Sequence, residues 1–129
     1  MSGGSFDVRV LVVDDQRPFR LAAAGMLRRA SGFVLAGQAE SGEQAVDLAV
    51  ELAPDLVLMD IHMPGMGGLA ATARLRELLP ATVVLLCSTY ARADLPAEVS
   101  TSGAAAYVSK EELAAPLLHS LWSAHRPGA

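Results

Sequence analysis

Short apolar runs and longer amphipathic stretches alternate five times along this chain, and that alternation restricts the fold more than any single residue does. Val8 to Val13 (VRVLVV), Phe33 to Ala39, Asp55 to Met59 (DLVLM), Thr82 to Cys87 (TVVLLC) and Ala105 to Val108 read as strands. Pro18 to Ala30, Gly42 to Ala53, Gly68 to Leu79 and Asp94 to Ser102 read as the helices between them, and a fifth helix is expected after Lys110. Strands separated by helices need crossover connections, so the sheet is parallel, and runs that are apolar throughout belong to a sheet covered on both faces. The fold class is therefore α/β, a three-layer sandwich around a five-stranded parallel sheet.

Local signals sharpen this outline. Ser41-Gly42-Glu43-Gln44 has the Ser-x-x-Gln form of a capping box and should start the second helix. Pro96 and Pro116 work against the helices in which they fall. The segment Glu98 to Ser102 is poor in strong helix formers, so the fourth helix is expected to be short or mobile. Pro116 should make the fifth helix start late or kink.

With 129 residues, 52% of them hydrophobic and 19% charged, the chain reads as one folded unit over residues 7–129 behind a flexible N-terminus, residues 1–6. That composition excludes disorder, and 5% aromatic residues argue against a base-stacking platform. A net charge of -4 argues against direct contact with nucleic acid. The single cysteine, Cys87, excludes an intramolecular disulfide and a Cys-cluster metal site, and it fits a cytoplasmic setting. No apolar run is long enough to span a membrane, and no signal peptide is expected.

Parallel strands end on one edge, and residues just after them converge there, where ligands of open α/β sheets bind. Asp14 and Asp15 follow the first run, Asp60 ends the third, Ser88 and Thr89 end the fourth, and Lys110 follows the fifth. Converging carboxylates repel unless a cation neutralises them, and Mg²⁺, with its preference for carboxylates, waters and phosphate oxygens, suits such a rim. A carboxylate can also be the nucleophile that forms an acyl phosphate. Asp60 is the best candidate, because the turn Met63-Pro64-Gly65 after it should leave its side chain at the crevice. Lys110 is the only lysine beside nine arginines, a choice that invites a question because arginine cannot replace an ammonium where a compact point charge is needed. The plain alternative, that the three aspartates are only caps or turn formers, does not explain their convergence with Lys110.

These residues resemble the receiver domain of a two-component response regulator, over roughly Val8 to Ala124. The resemblance rests on the acidic pair in Val12-Val13-Asp14-Asp15, the run from Asp55 to Gly68 (DLVLMDIHMPGMGG), the hydroxyl residue after the fourth strand, and Tyr107 three positions before Lys110. The first two helices and the Met-Pro-Gly-Met turn are most similar to receivers that usually precede a LuxR-type helix-turn-helix, a module this chain is expected to lack. The resemblance implies a flavodoxin-like (βα)5 fold with strand order 2-1-3-4-5. It also implies a phosphorylation-dependent switch that catalyses its own phosphorylation and dephosphorylation, rather than an enzyme acting on other molecules.

Residue by residue, the resemblance implies that Asp60 accepts a phosphoryl group from a histidine kinase or phosphotransfer protein. Asp15, Asp60 and the backbone carbonyl of His62 would hold Mg²⁺, Asp14 would act through water, and Lys110 would pair with the phosphoryl oxygens. Ser88, preferred to Thr89 on spacing, would move to hydrogen-bond the phosphoryl group, and Tyr107 would turn inward into the vacated space, unless it is simply a core aromatic. The change would reach a downstream protein, an output domain or a second copy through the fourth helix, fifth strand and fifth helix. His62, Thr89 and Tyr90 are expected to tune the rates, His62 by screening or assisting the hydrolytic water unless it is merely exposed. Thr89 stands where receivers usually have a smaller residue, and should narrow access.

Two other functions fit the same rim. One is the receiver half of a DNA-binding regulator without its output domain; the other, of a different class, is a phosphatase or phosphotransferase with an aspartyl-phosphate intermediate, for which the connections leave little room for a substrate cap. Gly65-x-Gly67-x-x-Ala70 fits the dinucleotide fingerprint formally, but Pro64 and a loop separate it from the strand. His119 and His125 read as ordinary helix residues, Cys87 and the methionines as packing, and Trp122 as an amphipathic contact.

Overall fold

Leu56–Asp60 and Val83–Ser88 are buried at every position, as the inner strands of a sheet covered on both faces must be. They are β3 and β4 of the computed structural model, which describes residues 7–89 and 95–128. With β1 (Val8–Val13), β2 (Phe33–Ala39) and β5 (Ala106–Ser109) they form one sheet of order β2-β1-β3-β4-β5, parallel at every pairing. The described α-helices are α1 (Arg17–Arg29), α2 (Gly42–Leu52), α3 (Gly68–Leu78) and α4 (Ala115–His125). Among the described residues, no helix is long and apolar enough to cross a membrane.

Alternation along the strands splits the core in two. Val10, Val12, Leu56, Leu58, Val83 and Leu85 pack with Ala23, Met26 and Leu27 of α1 and Leu118 of α4. Leu11, Val13, Val57, Met59, Val84 and Leu86 pack on the other face with Ala45 and Ala49 of α2 and Ala71 and Leu75 of α3. Small residues on α2 and α3 let those helices sit close to the sheet. Trp122 is half-buried against the first of these cores.

The capping box forms with one change of partner. Ser41 Oγ accepts from the Gln44 amide at 3.1 Å, while Gln44 Oε1 accepts from the amide of Glu40, at 2.7 Å, rather than from Ser41. Pro116 lies in the first turn of α4, where its missing amide breaks no intrahelical bond, so this helix starts late and needs no kink to accommodate it.

The fourth helix expected over Asp94 to Ser102 requires correction. Asp94 lies outside the described residues, and the remainder contains only the 3₁₀ turn Ala97–Thr101. The Ser100 hydroxyl donates to the Ala97 carbonyl at 3.0 Å, Thr101 to Glu98 at 3.2 Å and Ser102 to Val99 at 2.8 Å. Each bond reaches back three residues, so the side chains compete with the α-helical ladder and favour the tighter turn. The strand boundaries shift too: Asp55 precedes β3 and uses its carboxylate to accept from the Arg9 amide at 2.9 Å.

Candidate functional site

The carboxyl ends of β1, β3, β4 and β5 open onto a cleft of ≈ 250 Å³ lined by Asp15, Gln16, Asp60, His62, Ser88, Thr89 and Lys110. It lies where the strand order reverses between β1 and β3, the usual ligand crevice of this kind of sheet. A cleft of ≈ 280 Å³ formed by the segments Ala53–Asp55 and Leu78–Thr82 gathers no comparable set of charges.

Asp60 is the last residue of β3 and lies opposite Cys87 of β4, only 6% exposed. Asp14 follows β1 and is fully buried, whereas Asp15 is exposed. Asp14 Oδ1 accepts from the Gln16 amide at 2.8 Å, and Asp14 Oδ2 lies 2.6 Å from Lys110 Nζ. The second contact is a buried ion pair in which the ammonium meets the charge of this oxygen. Lys110 Nζ is also 3.6 Å from Asp60 Oδ1. The lysine thus bridges the ends of two strands.

Burial, reinforced by the Asp14 carboxylate, pushes Asp60 from its ordinary value of 3.8 up to about 6. The Lys110 ammonium and a backbone hydrogen bond with His62 oppose that rise without cancelling it. Burial alone would lower the Lys110 pKa, but its contacts with Asp14 and Asp60 prevail and raise it. Lys110 therefore stays charged. Burial drives the Cys87 thiol up to about 12, which makes it an inert packing residue.

Asp14, Asp15 and Asp60 each present a carboxylate oxygen, all within 4.8 Å of one another. Three carboxylates against one ammonium leave two negative charges in excess, which a divalent cation would balance. This all-oxygen donor set fits a hard ion such as Mg²⁺.

Ser88 is buried, and its carbonyl accepts from the Lys110 amide at 2.8 Å and from the Tyr107 hydroxyl at 3.2 Å. The Tyr107 ring, expected to turn inward as Ser88 moves, lies inward with 6% exposure, its hydroxyl on the Ser88 carbonyl of β4. His62 and Thr89 are exposed at the cleft, while Tyr90 lies outside the described residues. His119 packs edge-on against Phe33 at 4.9 Å between ring centroids, away from any ligand cluster.

Three residues at the site had no signal in the strand-end pattern. Phe19 places its ring 4.6 Å beneath Lys110 Nζ, and the buried Arg20 donates to the Asp14 carbonyl at 2.8 Å. Gln16 supplies the amide that holds Asp14 Oδ1. Phe19 and Arg20 lie in the first turn of α1 and Gln16 just before it, and the docking of that helix brings them to the rim. An arginine followed by its helix's apolar face was the one available hint, since a buried guanidinium must find acceptors.

The family model of the response regulator receiver domain matches residues 10–121. The chain is 42% identical over 103 residues to the response regulator GacA of Pseudomonas viridiflava, across 80% of this chain and 48% of that protein. It thus spans about half the length of the curated relatives it matches. Among solved structures, the response regulator domain of Thermotoga maritima CheB superposes with a TM-score of 0.81 at 29% identity, covering 92% of this chain and 96% of that one. The receiver domain of the Arabidopsis thaliana histidine kinase CKI1, solved in complex with Mg²⁺, gives a TM-score of 0.74 at 25% identity over 93% and 94% of the two chains.

Proposed function

The chain belongs to the receiver domains of two-component response regulators, and from that premise we propose that residues 7–129 act as a phosphorylation-dependent switch with Asp60 as phosphoacceptor. The observation that carries this reading is Lys110 Nζ, held at 2.6 Å from Asp14 and 3.6 Å from Asp60 at the mouth of the cleft. In this position one ammonium can meet a phosphoryl oxygen on Asp60 without leaving Asp14.

The donor is a phosphohistidine of a kinase or phosphotransfer protein. An Asp60 carboxylate oxygen forms a bond to phosphorus as the donor's N–P bond breaks, leaving an acyl phosphate on Asp60 and an unmodified histidine on the donor. Lys110 stabilises the charge on the transferred group. Dephosphorylation is a separate step, in which water attacks phosphorus, the bond between phosphorus and the Asp60 oxygen breaks, and the carboxylate is restored as inorganic phosphate departs. The protein catalyses both steps on itself, and small phosphate esters are not its substrates.

Mg²⁺, when bound, would spread the negative charge of the transferred group. Asp15, Asp60 and the His62 carbonyl would hold it. Asp14 would act through water, in keeping with the Gln16 amide and Lys110 ammonium already beside its two oxygens. Ser88 would then turn its hydroxyl toward the phosphoryl group. Because Ser88 shares its carbonyl with Tyr107 and Lys110, that movement would be felt along β5 and in the 3₁₀ turn and α4 beside it. A downstream protein, an output domain or a second copy reads the changed surface, in the cytoplasm.

A second reading within the same chemistry, in which this receiver controls a DNA-binding output domain, is supported by the likeness to a DNA-binding response regulator of the LuxR family from Staphylococcus aureus, at 26% identity and a TM-score of 0.81. The test of phosphoacceptance is intact mass after incubation with acetyl phosphate, with and without Mg²⁺, for the parent and Asp60→Asn. A Mg²⁺-dependent, hydroxylamine-labile adduct on the parent alone is expected. No adduct on the folded parent would overturn the reading, and turnover of p-nitrophenyl phosphate would favour the phosphatase class.

A further inference from the structure

The loop from Ile61 to Gly67 joins β3 to α3 and carries the His62 backbone that hydrogen-bonds Asp60. Its two ends are tied together by the Gly68 amide, which donates to the Ile61 carbonyl at 2.9 Å. Its far side is tied to a different element. Both carboxylate oxygens of Glu43, in the first turn of α2, lie 3.2 Å from the Met66 amide and accept from it.

Two further observations place α2 against this loop. Gly65 has φ +73, and a Cβ there would lie 2.8 Å from Glu43 Oε2, so the carboxylate sits in space that only glycine leaves open. Gly42 meets the Met66 carbonyl so closely that any side chain at that position would collide with it. The start of α2 is meanwhile served by Ser41 and Gln44, which satisfy the amides of Gln44 and Glu40. That leaves the Glu43 side chain to the loop, where a charged acceptor makes a stronger hydrogen bond than a neutral one.

We propose that Glu43 is a positioning residue of the Asp60 site, holding the loop through the Met66 amide so that the His62 backbone keeps the geometry a divalent cation needs. The inference rests on the reading of Asp60 and its neighbours as a Mg²⁺ site. It assigns to α2, which contributes no side chain to the cleft, control over cation affinity from outside the donor set.

The test is calorimetric titration with Mg²⁺ alone on the parent, Glu43→Leu, Glu43→Gln and Ser41→Ala, with a thermal melt of each protein. Glu43→Leu is expected to weaken Mg²⁺ binding about tenfold. Glu43→Gln keeps an oxygen that accepts from Met66 and should stay close to the parent, which separates the hydrogen bond from the charge. Ser41→Ala loosens α2 without touching the loop, and should lower the melting temperature at parental Mg²⁺ affinity. Faster amide exchange at Met66 in Glu43→Leu, but not in Ser41→Ala, would add support. Parental affinity in Glu43→Leu, equal weakening in Glu43→Gln, or the same weakening in Ser41→Ala would overturn the inference while the metal site stood. A parent that binds no Mg²⁺ would overturn the metal site and the inference together.

Discussion

At Asp60, charge is unfavourable to the metal-free fold. Its folded pKa of about 6 lies above the ordinary 3.8, so the native state holds the proton more tightly than the unfolded chain does. The stability from that proton is complete below the unfolded value and is lost as the pH rises through about 6. Between pH 7 and pH 5 the parent in EDTA should therefore gain about 1 kcal/mol that Asp60→Asn does not gain. Urea titrations of both proteins at the two pH values check this, and parallel pH responses would contradict it. Thr89, exposed at the cleft, supports a kinetic prediction: Thr89→Ala should be phosphorylated faster by acetyl phosphate, or lose its phosphoryl group sooner, than the parent. Equal rates would remove Thr89 from the residues that govern access. At this scale Asp14, Asp15, Asp60 and Lys110 were legible because each sits at a strand end, whereas Phe19 and Arg20 depend on how α1 lies against the sheet.

Elements differ in how far their own residues decide them. In α2 the cap is local, and Ser41→Ala should cost about 1 kcal/mol in chemical denaturation, since the Gln44 amide loses its partner. The 3₁₀ turn Ala97–Thr101 shows the opposite balance. Its composition disfavoured a helix, but only the three hydroxyl-to-carbonyl bonds define the turn that replaces it. In α4, Pro116 marked the start and Leu118 supplies the anchor, the one residue of that helix wholly out of solvent. Leu118→Ala should cost about 2–4 kcal/mol by leaving a cavity against the β4 and β5 face, measurable as a lower urea midpoint.

For the whole molecule, the four strand ends make one site, and a ligand there binds the folded chain alone. Mg²⁺ at 100 times its dissociation constant should therefore stabilise the parent by about 2.7 kcal/mol at neutral pH. The gain should be much smaller in Asp60→Asn, which removes a charged donor from the set, and it should fade as the pH falls through about 6 because protons compete for Asp60. Thermal melts with Mg²⁺ and with EDTA check both points; an undiminished gain in Asp60→Asn would place the ion elsewhere.

The sequence by itself determined the number of strands, their parallel direction and the edge at which the acids meet. Those features follow from the period of apolar residues along the chain, which is a local property. The strand order was taken from a family resemblance and is borne out by the pairing. Only the tertiary structure decided that Tyr107 lies inward on the Ser88 carbonyl, that Phe19 lies beneath Lys110, and that Glu43 reaches across to Met66. Each of these contacts joins residues far apart in the sequence, on segments that only the fold brings together. Its distance is set by the packing of one helix or strand against another, which no pattern within either segment records.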